Sequence, residues 1–420
     1  MNYSRLREST LRVCVCTSYP AASEPRAPRH AIALANIGDK LEVIFVDSAP
    51  RGITPRPVKV FEGGGNLLWQ THFYSNRAFN PCRLLLDRIA EGILRSAYCL
   101  CRKTHPATMS SRMLGFERLL EKTQADIYFG HNIDTLLPIC RVARKRRARV
   151  MFDSMEFHSD MGDTQSATDK AIIRSIERQC LPQCALVLAS SDQVADALVQ
   201  EYGIGRPVPV YNMPAYEPSL PVKKRRVFAL YWRNSTIGLG ERGLDDALLS
   251  LVNLPAEITL HLQGRLSFDQ GAAVKARIAE LGISRRVFLH DPHQPDDAVK
   301  EAARYTVGLC LERGNNRNHE LTVSNKIFDY HMAGLATVAS DLSGLRSVIE
   351  RSGGGLLFEP GSARDLTAKI LCLYRNPELL MRLSENARTF AKTEGNREAE
   401  IKKFIAAFEK HFLCVAAGCN

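Results

Sequence analysis

The sequence predicts an α/β protein built as two doubly wound parallel-sheet domains, on three observations. Short apolar runs bounded by turn residues alternate with helical patterns along the chain, the rhythm of parallel sheets. At 420 residues the chain exceeds one ordinary domain. A proline-rich, charged stretch, PAYEPSLPVKKRR at 214–226, divides the rhythm into two halves. The expected layout is a first domain over 1–213, a linker over 214–226, a second domain over 227–392 and a helical tail over 393–420 placed to pack back on the first domain.

In chain order, LRVCVCT (11–17) reads as a buried strand. A loop, a short helix from about Pro28 and a second strand, LEVIFVD (41–47), follow it and open a parallel sheet. The first loop lacks G-x-G-x-x-G, so it carries no dinucleotide fingerprint. The stretch from Arg51 to Pro81 is poorly periodic, and Gly63-Gly64-Gly65 within it reads as a flexible turn. Two helices are expected from Pro81 to Lys122. The first puts Leu85, Leu86, Ile89, Ile93 and Leu100 on one stripe among Arg83, Arg88, Arg95, Arg102 and Lys103. Such a basic amphipathic helix fits an anionic membrane and equally fits the surface of a basic domain. DIYFG, RVMFD, ALVLASS and PVPVYN are the remaining strands of the first half. VFALYW, EITLHLQG, RRVFLHD, YTVGLCL, LATVAS and GGGLLFE form the second sheet, and RNSTIGLGERGL (233–244) reads as a glycine-bearing loop after its first strand.

The net charge is +11, and about nine units of it fall between Arg77 and Arg149. Positive charge clustered in this way points to an anionic partner or to a solvated basic face. Arg144, Lys145, Arg146 and Arg147 are the candidate contacts to a membrane or acceptor. No nucleic acid is expected as a partner, since the run is short and has no stacking aromatics beside it. No apolar run approaches membrane-spanning length, and the first twenty residues lack an apolar signal core. The twelve cysteines show no zinc spacing. Reduced thiols in a cytoplasmic protein are therefore expected. Asp153, Glu156 and His158 cluster at a strand end without compact ligand spacing, so neither a metal nor a cofactor is expected.

The chemistry is expected at 324–340, SNKIFDYHMAGLATVAS. Ser324 and Asn325 are good helix caps, Lys326 stands in the first turn, Asp329 one turn on, and Gly334 stops the helix before a strand. Free N–H groups with a lysine suit a phosphate, and the acid suits a ribose diol. A capped core helix accounts for the same residues. Arg233 and Arg242, in the 233–244 loop, suit a diphosphate or are surface arginines of a plain turn. His131 ends the DIYFG strand, where open α/β sheets place ligands.

Taken with these residues, SNKIFDYHMAGLATVASDLSGLRSVIERSGGGLLFEPGSARDLTAKI resembles the C-terminal half of glycosyltransferase family 4. These are retaining enzymes of the GT-B architecture, two Rossmann-like domains facing across a cleft. The resemblance extends in order to ERGLDDAL, ADIYFGHN, FDSMEF, IERQCLPQCALVLASS and VYNMPA. It implies transfer of a sugar, with retention, from a UDP- or GDP-linked nucleotide sugar to a hydroxyl acceptor, without a divalent metal. It implies that Lys326 and the amides near Ser324 and Asn325 hold the donor diphosphate, joined by Arg242 and Arg233. Asp329 stands where the family has the glutamate of the donor ribose, and His131 matches the histidine of the sugar and acceptor side. Family members often carry a second glutamate at the position of Leu321. Glu312 and Glu320 have the usual spacing but lie out of register, a coincidence that leaves Glu320 as a local substitute. The first loop also lacks the family's Gly-Gly. With the basic first domain, the acceptor expected is one on a membrane surface, such as a lipid-linked saccharide of envelope polysaccharide biosynthesis. The protein would then sit peripherally at the inner face of the plasma membrane. A non-catalytic GT-B scaffold binding a nucleotide sugar or a partner protein, and a GT-B nucleotide-sugar epimerase, stay open beside this reading.

Overall fold

The computed structural model of the chain describes residues 10–38, 40–51, 67–74, 81–162, 165–220, 228–240, 242–266 and 268–413. The expected Gly63–Gly65 turn, the side chain of Arg83 and the basic end of the 214–226 stretch lie outside them. The chain forms two compact units, Met1–Val210 with Lys403–Asn420, and Tyr211–Lys402.

The first unit is built on a seven-stranded sheet. Its strands are β1 (Leu11–Thr17), β2 (Leu41–Pro50), β3 (Leu67–Tyr74), β4 (Ile127–His131), β5 (Arg149–Ser154), β6 (Leu186–Ala189) and β7 (Val208–Pro209). Their order is β3-β2-β1-β4-β5-β6-β7, and every neighbouring pair runs parallel. Strands of this kind are covered on both faces, which is why they read as continuous Val, Ile, Phe and Cys runs. The order reverses between β1 and β4, where Thr17 pairs in register with His131. Lys403 onward returns to this unit: Phe404 stacks on His30 at 4.4 Å, and Arg149 lies 4.8 Å from the Phe412 ring.

The second unit holds six strands: β8 (Ala229–Ile237), β9 (Thr259–Leu266), β10 (Val287–His290), β11 (Val307–Cys310), β12 (Ala336–Ser340) and β13 (Gly355–Phe358). They run in the order β10-β9-β8-β11-β12-β13, again all parallel. Their switch point lies between β8 and β11. The fold is therefore the expected α/β class, two doubly wound parallel sheets.

Two local expectations of strand placement change. Residues 67–74 form the edge strand β3 inside the stretch read as aperiodic. Residues 233–237, read as loop, continue β8 beyond a bulge between Arg233 and Thr236. The described part of the 214–226 stretch is tied down, since the carbonyl of Pro214 accepts from the Arg397 amide at 2.8 Å and Tyr216 donates to Glu398 at 3.0 Å. The division between the two units falls between Lys402 and Lys403, inside the helix Arg397–Phe408.

Candidate functional site

In the second unit the site is assembled at the carboxyl ends of β8 and β11, the position where open α/β sheets bind ligands. Glu312 follows β11 by two residues. Lys326 opens the helix Lys326–Met332, and its Nζ lies 2.9 Å from Glu312 Oε1. Arg242 Nη1 reaches the same oxygen at 3.6 Å. Both Lys326 and Glu312 are buried, at 6% and 4% exposed, while the Arg242 side chain stands at the rim. The Trp232 ring centroid lies 5.7 Å from Lys326 Nζ and adds a cation–π contact.

Charge governs this cluster. Burial raises the Glu312 carboxyl, but Lys326 and Arg242 outweigh it and bring the group down to about 2. One contact ties Lys326 Nζ to Glu312 Oε1 at 2.9 Å, and the other N–H groups of the ammonium have no hydrogen-bond partner among the described residues. A buried ammonium with unspent N–H donors calls for an explanation, and an anionic ligand supplies one.

The backbone sets this geometry. Arg242 and Gly243 both have positive φ, at 41° and 75°. A Cβ on Gly243 would meet the Leu311 carbonyl oxygen at 2.1 Å, so the loop seats directly on the residue before Glu312. On the other side, Arg313 makes a bidentate pair with buried Asp246 at 3.0 and 2.7 Å. Glu312 is thus flanked by two ties to the 242–246 segment.

The structure brings Arg233 and Asp329 together as an ion pair, with the Arg233 amide donating to the Tyr330 hydroxyl at 3.2 Å. Burial lowers the Arg233 guanidinium, and Asp329 more than reverses this. The two residues expected on diphosphate and ribose therefore hold each other. Ser324 is half-buried and Asn325 exposed; Asn325 makes no side-chain cap, so the start of the helix is closed by backbone alone. The structure engages Glu320 at the start of another helix. Its carboxylate accepts the Ser343 amide at 2.9 Å and its carbonyl the Ser343 hydroxyl at 2.8 Å, which caps the helix Ser343–Ser352.

In the first unit His131 ends β4 as expected but is wholly buried. Its Nε2 lies 2.9 Å from His30 Nδ1 and 3.5 Å from Asp153, and Asp153 is held bidentately by Arg26 at 2.6 and 2.9 Å. Burial, with Arg26 beside it, lowers the His131 imidazole to about 4 against the pull of Asp153. The ring is thus enclosed and neutral at the carboxyl end of β4, in contact with His30 and Asp153. The adjacent Asn132 has φ 69° and bonds Thr17 Oγ1 at 3.1 Å, a strained backbone at the switch point.

His30, His131 and Asp153 bring ligand-type atoms within 4.8 Å of one another. The Arg26 guanidinium already occupies the cation position on Asp153, so the trio fits a hydrogen-bonded core better than a metal. Sequence reasoning missed Glu312, Arg26 and His30. Glu312 was signalled by its place just after a switch-point strand, and the other two by their i,i+4 spacing on the first helix, Arg26–Ala35.

Of the basic run, Lys145 pairs with Glu121, Arg146 donates to the Glu121 carbonyl and Arg144 bonds Gln183 at 2.8 Å. Arg147 is exposed at the helix C-cap.

The model of a glycosyl transferase 4-like domain matches residues 77–213, and that of the glycosyl transferases group 1 matches residues 241–376. No curated protein matches the chain in sequence. Among solved structures, HepE of Anabaena in complex with UDP is similar at TM-score 0.69 and 13% identity, covering 95% of this chain and 100% of that one. Sucrose-phosphate synthase from Thermosynechococcus elongatus is similar at 0.70 and 12%, covering 96% and 100%. The apo lipopolysaccharide outer core galactosyltransferase WaaB is similar at 0.63 and 15%, covering 95% and 99%. The structural likenesses agree in fold and the two domain matches in family, and on that footing the chain belongs to the GT-B glycosyltransferases.

Proposed function

We propose that the protein transfers a sugar, with retention, from a nucleotide diphosphate sugar to a hydroxyl acceptor, and that the diphosphate binds at Lys326 and Arg242. The observation that carries this reading is the buried Lys326 ammonium, which has unspent donors at the switch point of the second sheet. Cleavage of the anomeric C–O bond puts charge on the departing diphosphate, and preorganised cations there are often the largest catalytic contribution. HepE in complex with UDP-glucose, a protein of this fold, supports a uridine donor as the first to test. Retention rests on the family resemblance.

The acceptor in this reading is lipid-linked and the protein works at an anionic membrane surface. The support is the helix Pro81–Cys101. Leu85, Leu86, Ile89, Ile93 and Leu100 are between 51% and 88% exposed on its outer stripe, while Tyr98 is buried on the opposite side. Exposed Arg88, Arg102 and Lys103 flank the stripe and complement acidic lipid. Among the described residues no helix is long and apolar enough to cross a membrane.

The test is turnover of UDP- and GDP-linked sugars, read as nucleotide diphosphate released and sugar transferred, with the anomer of the product assigned by NMR. Lys326→Ala should lower turnover by about two orders of magnitude or more with the fold intact. An unchanged rate overturns the donor site, and an inverted anomer overturns retention.

A further inference from the structure

We propose that Glu312 is a positioning residue that holds Lys326 and Arg242 as one unit for the donor diphosphate, an inference that rests on the donor site proposed above. The geometry is specific. One carboxylate oxygen, Oε1, faces both cations, at 2.9 Å from Lys326 and 3.6 Å from Arg242. Two cations aimed at one anion repel each other, and a carboxylate between them offsets that repulsion. It also fixes a lysine side chain that otherwise keeps many rotamers. An ammonium carries three donors, and the single contact with Glu312 Oε1 leaves the others unspent. Those N–H groups stay available to phosphate oxygens.

The surroundings hold the carboxylate in place. Leu311 on one side is pressed by Gly243, and Arg313 on the other is locked to Asp246. Glu312 itself is 4% exposed. Among the described residues, the neighbouring Arg233–Asp329 pair is already matched, and burial pushes the Cys310 thiol up and so keeps it neutral. Glu312 is therefore the acid set against Lys326, on a segment that sequence spacing put out of register for donor contact. In this proposal it touches no donor atom and acts only through the two cations.

The experiment is equilibrium binding of UDP and GDP, each against its nucleoside, by calorimetry. It uses wild type, Glu312→Gln, Glu312→Asp, Lys326→Met and the double variant Glu312→Gln/Lys326→Met, with thermal melting of each. Glu312→Gln should weaken binding of the diphosphate about tenfold or more, as loss of a charged partner does, and leave the nucleoside unchanged. Glu312→Asp should recover most of that loss. In the Lys326→Met background, Glu312→Gln should add little further loss. Equal or tighter diphosphate binding by Glu312→Gln overturns the proposal, because Glu312 would then compete with the diphosphate. Equal losses for diphosphate and nucleoside overturn it too, in favour of a purely structural role. Wild-type protein that binds neither nucleotide overturns the donor reading itself, and this inference with it.

Discussion

His331 lies wholly buried in the helix Lys326–Met332 with neither ring nitrogen hydrogen-bonded. Burial lowers its imidazole from 6.5 to about 3. Between those values the unfolded chain takes up a proton that the folded chain refuses. Stability is therefore full above pH 6.5 and is lost as pH falls toward 3, by about 1.4 kcal/mol per pH unit for this residue. His131, lowered to about 4, acts in the same direction. His331→Leu removes the titration and an unsatisfied polar group together. It should leave the Tm at pH 7 unchanged or raised, and at pH 5 it should recover about 2 kcal/mol relative to wild type. Melting curves at the two pH values check this, and a parallel acid loss in both proteins would contradict it. At this scale the sequence is most legible where a residue's type decides its place, as with Lys326 beside its helix start. It is least legible where partners come from distant elements. Glu320 reads as a donor acid but serves as a cap across 23 residues, and Glu312 reads as coincidence but sits in the site.

The 242–246 turn shows how much one element carries. Gly243 needs both its positive φ and the absence of a side chain to seat on Leu311. Gly243→Ala should cost about 1–3 kcal/mol through backbone strain, more if the clash is not relieved, and should weaken nucleotide diphosphate binding by moving Arg242. Chemical denaturation and calorimetry read the two effects. Full stability with full binding would show that the loop is free to relax. The elements that were legible are those with long apolar runs, β1, β2, β4 and β12, all buried. β3 was not, because among the described strands LLWQTHFY pairs with β2 alone at the sheet edge and keeps its side chains half-exposed, so the apolar signal is diluted. The end of β8 was not, because RNST is polar; a bulge carries it on, and Gly264 approaches the Asn234 carbonyl where a Cβ would meet it at 2.2 Å.

For the whole molecule, two doubly wound sheets follow from alternating strand and helix patterns, and each places its candidate residues at the strand ends where the order reverses. The proposed membrane contact reads differently from sequence and structure. The Arg144–Arg147 run is largely engaged with neighbouring side chains and carbonyls, whereas the helix Pro81–Cys101 turns its apolar stripe outward. Vesicles containing phosphatidylglycerol should therefore bind the protein, and Leu86→Glu/Ile93→Glu should release it. Neutralising Arg144 and Arg147 should matter less. Retention of the double variant on vesicles, or no binding by the wild type, would remove the membrane reading; a concentration-dependent dimer that Leu86→Glu/Ile93→Glu abolishes would assign the stripe to a second copy instead.

The account depends most on a diphosphate being read by Lys326. The direct measurement is the affinity of wild type and Lys326→Ala for UDP and for uridine, at one salt concentration. The account predicts that wild type binds UDP at least about tenfold more tightly than uridine, a margin of about 1.4 kcal/mol, and that Lys326→Ala erases the margin while leaving uridine binding as it was. Equal affinity of wild type for the two ligands, or a margin that survives loss of the lysine, would contradict it.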